Sequence, residues 1–248
     1  MRQVFYSSPW IHEPEPEELF RIYAAYGERI KVKAGVDLPY SGEDALVCYL
    51  EKGLGAFSYL DKSGHKNYFA IIVPKRTFGD LVSLTQNRMC LKGEILRDST
   101  LIILKRKIWE EQVMKSVATL SCYVRNAISK EESHMEGMIA NSTLELPERI
   151  LSFSYALINA YYPPKLEDWN PLPVTLTLTE ISRVVAANRT SVSLIISDWI
   201  KDGNAQKKGR QLLIYGRLFQ NLYDWSCSFD KSSSNPRGEP VSESNRSA

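Results

Sequence analysis

Apolar and polar positions along this chain follow three successive rhythms. From about Ile30 to Lys105, short apolar runs are cut by Gly42, Gly53, Gly55, Gly64, Gly79 and Gly93. The runs include Leu46 to Leu50, Phe57 to Leu60, Tyr68 to Val73, Leu81 to Leu84 and Ser99 to Leu104. Runs this short between turn residues predict strands, and Asp61-Lys-Ser-Gly64 predicts a hairpin turn. Many short strands at such spacing predict an all-β roll or barrel. Ahead of them, Glu15 to Tyr26 reads as a short helix.

The second rhythm begins near Val113. Val113, Val117, Leu120, Val124, Ala127, Glu131, His134 and Met138 recur at alternating steps of four and three. This is the spacing of a helix that can pair with another helix, though it also suits packing against the chain's own core. A stretch of roughly 30 residues without proline exceeds the usual globular helix and favours a dimer seam. Pro147 then opens a further amphipathic helix to about Tyr162, which Pro163 and Pro164 stop. The boundary between the halves is expected near Asn141 to Leu146. From Trp225 onward the chain is polar and reads as a disordered tail.

The third rhythm carries the chemistry. Thr177-Leu-Thr-Glu180 is a capping box, in which the threonine hydroxyl and the glutamate carboxylate satisfy each other's backbone N–H. The helix it opens buries Ile181, Val184 and Val185. Asn188 caps a second helix running from Arg189 to about Asp202, with Gly203 as terminator. Two short helices on a tight turn predict a helix-turn-helix. In the second helix Val192, Ile195, Ile196 and Trp199 form the buried stripe, while Arg189, Thr190, Ser193, Leu194 and Ser197 face outward. A recognition helix needs an arginine and short polar side chains toward the end that enters the major groove. Lys207, Lys208 and Arg210 then mark the tip of a β-hairpin, suited to phosphate contact as a wing or, alternatively, a solvated turn.

Composition changes this picture little. Lys and Arg outnumber Asp and Glu by 31 to 29, so any DNA-facing surface must be local. Between Pro171 and Trp225, seven Lys and Arg face four Asp and Glu. Four cysteines without a CxxC pair argue against a zinc site and fit a reducing compartment. No signal peptide or membrane span is visible, so a cytoplasmic protein is expected. A metal-dependent roll enzyme would need clustered ligands, and His65 stands without an HxH pair. No metal, cofactor or catalysis is expected.

The order of these segments resembles the CRP/FNR superfamily of transcription regulators over roughly residues 28 to 224. The stretch from Leu176 to Gly216 is similar to the family's DNA-binding motif. The resemblance implies an α+β fold: an N-terminal double-stranded β-helix (jelly-roll) sensor domain over residues 1–107, a dimerisation helix over 108–140, a winged helix-turn-helix domain over 141–225, and a disordered tail over 226–248. It implies a homodimer on double-stranded DNA, with RNA polymerase as a further partner. Thr177 falls at a phosphate-contacting position, and Arg189, Thr190 and Leu194 fall at base-reading positions. The last two depart from the family's common glutamate and arginine, and Ala186 stands where a turn glycine is usual.

In the roll, Gly79-Asp80-Leu81 and Arg88 resemble the family's phosphate cradle, but the acid is short and Met89 fills the place of a small residue. That departure weighs against a cyclic nucleotide. His12, His65 and His134 are isolated as haem ligands and are expected at the surface or in the seam. A small organic effector between roll and dimer helix is the remaining expectation, as in the family's subgroup that includes regulators of halogenated-aromatic respiration, with Lys92, Tyr123 and Arg125 as candidate contacts for a phenolate or carboxylate. A constitutive regulator whose roll is only a scaffold is the alternative.

Overall fold

The structure is a computed structural model that describes residues 7–38, 45–81, 91–220 and 222. Arg88, most of the Leu81 to Leu84 run and the tail expected over 226–248 lie outside the described residues. After α1 (Glu17–Tyr26) come β1 (Glu28–Val32), β2 (Asp37–Leu38), β3 (Leu46–Leu60), β4 (Lys66–Ile72), β5 (Arg76–Phe78) and β6 (Lys92–Lys105). They form one antiparallel sheet ordered β1-β6-β3-β4, with β2 also on β6 and β5 also on β3. The two separate strands expected at Leu46 to Leu50 and Phe57 to Leu60 are one strand, β3, with register shifts between Leu50 and Gly55.

Consecutive apolar residues arise in β3 and β6 because both faces of these strands are covered. Cys48, Leu50 and Leu101 point into one core with Phe57, Ile72 and Phe78. Their neighbours Val47, Tyr49, Ile102 and Leu104 point the other way, onto Leu19, Tyr23 and Trp109. Side chains alternate faces along a strand, so an uninterrupted apolar run is what two-sided burial requires. The turn at Asp61 is as expected: its Oδ1 accepts from the Ser63 N–H at 2.8 Å and the His65 N–H at 2.9 Å.

Three helices follow. α2 (Arg106–Val113) and α3 (Val117–Thr143) are separate, because Ser116 accepts from the Thr119 N–H and starts α3 afresh. α4 spans Leu146–Asn159, with Pro147 in its first turn. The expected stripe divides between two faces, with Val117, Val124 and Met138 outward and Val113, Ala127 and His134 inward, buried against the chain itself. Ile128 and Met135 are exposed as well. Ile128, 56% exposed, replaces Ala127, 8% exposed, as the outward position. Tertiary packing overrode the register because α3 rests one face on the segment Trp10 to His12 and on β4. Gly137 permits that approach, since a Cβ there would stand 2.6 Å from the Trp10 ring.

The C-terminal part contains β7 (Trp169–Pro171), α5 (Leu178–Val184), α6 (Arg189–Lys201), β8 (Ala205–Lys208) and β9 (Gln211–Tyr215), closed by a 3-10 turn at Gly216–Phe219. Its three strands form a second antiparallel sheet ordered β7-β9-β8. The two halves are not independent. One apolar cluster runs from Trp10, Leu54 and Tyr68 through Ala140 and Phe153 to Ile181, Val192 and Trp199.

Candidate nucleic-acid interface

The helix pair begins as its sequence demands. The Glu180 N–H donates to Thr177 Oγ1 at 3.1 Å, and the Thr177 N–H donates to Glu180 Oε2 at 2.7 Å. α5 ends at Val184, and the turn passes through Ala186 in the left-handed region at φ 47°. Asn188 Oδ1 then accepts from the Ser191 N–H at 2.8 Å and starts α6. Gly203, with φ 68°, ends it.

α6 separates into the two faces expected. Val192, Ile196 and Trp199 are buried, with Ile195 half-buried beside them. Arg189, Thr190, Leu194 and Ser197 are exposed and Ser193 is half-buried. Leu194 keeps 61% of its surface. The Ser197 hydroxyl donates to the Ser193 carbonyl at 2.8 Å, so its proton is engaged within the helix while its oxygen can still accept.

Beside α6 stands the β8–β9 hairpin, in register Lys207↔Leu212 and Lys208↔Gln211. Lys207, Lys208 and Arg210 are exposed at its tip, around Gly209. The hairpin is anchored by Ile214, buried beneath it, and by Asn170, whose amide is hydrogen-bonded to both backbone groups of Lys165.

The N-terminal sheet grips this unit. Arg97 on β6 donates to Glu180 Oε1 at 2.7 Å, to Glu180 Oε2 at 2.8 Å and to the Thr175 carbonyl at 2.5 Å. Burial works against the Glu180 charge. The Arg97 hydrogen bonds and the Thr177 N–H outweigh it and hold the carboxyl below its ordinary range. Arg183 on α5 donates to Tyr68 on β4 at 3.0 Å, and Tyr68 donates to Glu94 at 2.9 Å. Neither tie was visible in the sequence, because the partners are remote in the chain and have no shared spacing.

The candidate effector residues divide. Asp80 and Tyr123 come together in a buried cluster, in which the Tyr123 hydroxyl donates to the Asp80 carbonyl at 2.5 Å. The centre of the cluster is Lys130 of α3, which sequence reasoning missed. Its ammonium is ion-paired with Glu15 and donates to Asp80 Oδ2 at 2.6 Å and Thr77 Oγ1 at 2.7 Å. Asn126 donates to the other Glu15 oxygen at 2.8 Å. Burial disfavours the Lys130 charge, but the two carboxylates outweigh it and hold the ammonium above its ordinary range. Lys92 and Arg125 are exposed and do not join this cluster. The i, i+4 signal that could have exposed Lys130 is its pairing with Asn126 on the face of α3 turned to the sheet.

Two histidines expected at the surface or seam are buried instead. His12 and His134 pack edge to face with ring centroids 6.2 Å apart. His65 is exposed, as expected. Neither ring nitrogen of His12 has a hydrogen-bond partner among the described residues. Burial, then Lys130, His134 and Arg76, push the His12 imidazole well below its ordinary value. Burial also pushes the Cys48 thiol up to about 12, which makes it inert as a thiolate. No group of three or more His, Cys, Asp or Glu able to hold a metal occurs among the described residues. No helix among them is long and apolar enough to cross a membrane.

No family sequence model matches the chain, and no curated protein matches it in sequence. Solved structures do match its fold. FixK2 from Bradyrhizobium japonicum is similar with a TM-score of 0.66 at 14% identity, over 77% of this chain and 95% of that one. CprK complexed with OCPA is similar with a TM-score of 0.60 at 13% identity, over 85% and 97%. A CRP/FNR-family transcriptional regulator from Thermus thermophilus is similar with a TM-score of 0.58 at 18% identity, over 81% and 99%. The antiparallel sheet, the long α3 and the helix pair with its hairpin together give this chain the fold of the CRP/FNR transcription regulators.

Proposed function

We propose that this chain is a sequence-specific DNA-binding transcription regulator that acts as a homodimer and has no catalytic role. The observation that carries the reading is α6, which buries one stripe and leaves Arg189, Thr190 and Leu194 outward beside the basic hairpin tip. α5, α6 and the hairpin then form a winged helix-turn-helix. Arg189 reads a guanine edge, Thr190 and Ser193 reach bases or phosphates, and Ser197 accepts from a neighbouring donor. Thr177, Lys207, Lys208 and Arg210 hold phosphates. The units are a jelly-roll domain over 1–107, a dimerisation helix over 108–140 and the DNA-binding domain over 141–225. The dimer forms along Val117, Val124, Ile128, Met135 and Met138. These residues recur at heptad-like steps on the face of α3 turned away from the sheet. A cytoplasmic location and RNA polymerase as a partner accompany this reading.

A specific observation favours a regulator whose roll needs no effector. Where a ligand between the roll and the long helix would link them, Lys130 already ties α3 to Asp80 and Glu15. OCPA-bound CprK and the c-di-GMP-responsive regulator CLP are effector-linked proteins of the same fold. Here an internal ammonium does the linking, and halogenated aromatics or cyclic nucleotides have no open contact on Asp80. Gel shift and footprinting with DNA from upstream of the protein's own gene test the function. A protected site lost in Arg189→Ala is expected, with discrimination falling by about 1–3 kcal/mol. Binding with no footprint, or a footprint untouched by the substitution, would overturn the assignment.

A further inference from the structure

We infer that Leu194 reads the C5-methyl group of a thymine in each half-site, so that an A·T pair is specified at that position by an apolar contact. The inference rests on the DNA-binding reading of α6 and deepens it.

Leu194 is the large apolar side chain set among the polar residues of the outward face of α6. One turn earlier stands Thr190 and roughly one turn later Ser197, both exposed, and Arg189 and Ser193 complete the face. The buried stripe of Val192, Ile196 and Trp199 lies on the opposite side, so the core does not draw Leu194 inward. Nothing in the second sheet covers it either, since 61% of its surface stays open beside a hairpin whose tip is cationic.

The floor of the major groove decides what such a residue can contact. Guanine presents two acceptors, cytosine a donor, and adenine an acceptor and a donor; thymine alone adds a methyl group. A leucine pressed on the first three would strip water from polar edges and return no hydrogen bond. Against thymine it removes apolar surface on both partners from water. The cationic hairpin makes an apolar protein partner on this face a poorer fit than a polyanion. Leu194 therefore supplies specificity by what it rejects as well as by what it covers.

The test uses deoxyuridine, which differs from thymine only by the missing methyl. A binding site is first obtained by in vitro selection with the full chain. Each thymine is then replaced singly by deoxyuridine, and affinities are measured for the native protein and for Leu194→Ala. Because Leu194 is exposed, the substitution leaves folding intact, and a thermal melt checks this. We expect one thymine per half-site whose replacement weakens native binding about three- to fourfold, the worth of one buried methyl. The same replacement should leave Leu194→Ala binding unchanged. Equal losses in both proteins, or no sensitive thymine, overturn the inference while leaving DNA recognition standing. A selection that returns no consensus overturns the DNA-binding reading itself, so the two failures are distinguishable.

Discussion

Arg97 and Glu180 meet in a two-pronged ion pair, at 2.7 and 2.8 Å, that joins a strand of the N-terminal sheet to α5, the first helix of the α5–α6 pair. The same carboxylate completes the capping box with Thr177, so one side chain serves the start of α5 and its docking. A double-mutant cycle with Arg97→Met and Glu180→Gln should return a coupling of about 1 kcal/mol in denaturant titrations, shrinking as salt rises. The Glu180 carboxyl is held below its ordinary value, so its contribution is present above the unfolded pKa and fades as pH falls through the folded one. Zero coupling at low salt would show that the contact holds nothing.

Lys130 balances two buried carboxylates. Replacing it with methionine leaves Asp80 and Glu15 uncompensated, and a loss of about 3–5 kcal/mol is expected. Adding Asp80→Asn and Glu15→Gln should recover most of that loss, because the stranded charges are then gone. Urea denaturation of the single and triple variants measures both. A triple variant no better than the single one would assign the loss to packing rather than charge.

His12 sets a pH dependence. Its folded pKa lies well below that of the unfolded chain, so the unfolded state binds the extra proton as pH falls. Stability is therefore full above about pH 6.5 and declines below it by up to about 1.4 kcal/mol per pH unit until the folded pKa is reached. Denaturation midpoints between about pH 8 and pH 5 should show this slope, and His12→Leu should flatten it. An equal slope in both proteins would remove His12 from the account.

Ala186 occupies backbone that favours glycine. Ala186→Gly should stabilise the protein by about 0.5–1 kcal/mol, since the relieved strain exceeds the added chain entropy. A thermal melt gives the sign, and a lower midpoint would refute the strain.

Ile128 lies at the middle of the exposed stripe on α3. Ile128→Glu should convert a dimer to a monomer in sedimentation equilibrium, while Arg125→Glu, on the neighbouring exposed surface, should leave the mass unchanged. Dimer persisting in the first variant would move the interface elsewhere.

Local signals were legible in the sequence; remote pairings were not. The Thr177 capping box, the Asn188 cap and the Val192 to Trp199 stripe follow from spacing within one or two turns, where backbone geometry alone decides who meets whom. The period of α3 was legible too, and Val117, Val124 and Met138 lie outward, but the turning inward of Ala127 and His134 was not legible. Steps of four and three fit two adjacent stripes, and only the packing of Trp10, His12 and Phe69 selects which of them faces inward. Lys130 escaped notice, since its partners Glu15 and Asp80 sit 115 and 50 residues away along the chain.

The segment before α1 has a consequence for the order in which the molecule assembles. The Trp10 N–H donates to the Ser133 carbonyl, and the Ile71 N–H donates to the Trp10 carbonyl. Trp10 is thus a clasp between a strand made early and a helix made late. The Ser133 half of its seat lies on α3 and is made long after the Ile71 half. Closing so long a loop is slow, and the clasp should be among the last contacts formed. Pulse-labelled hydrogen exchange should find the Trp10 and Ile71 amides protected after those of β3 and β6; earlier protection would mean that the clasp nucleates the fold rather than sealing it.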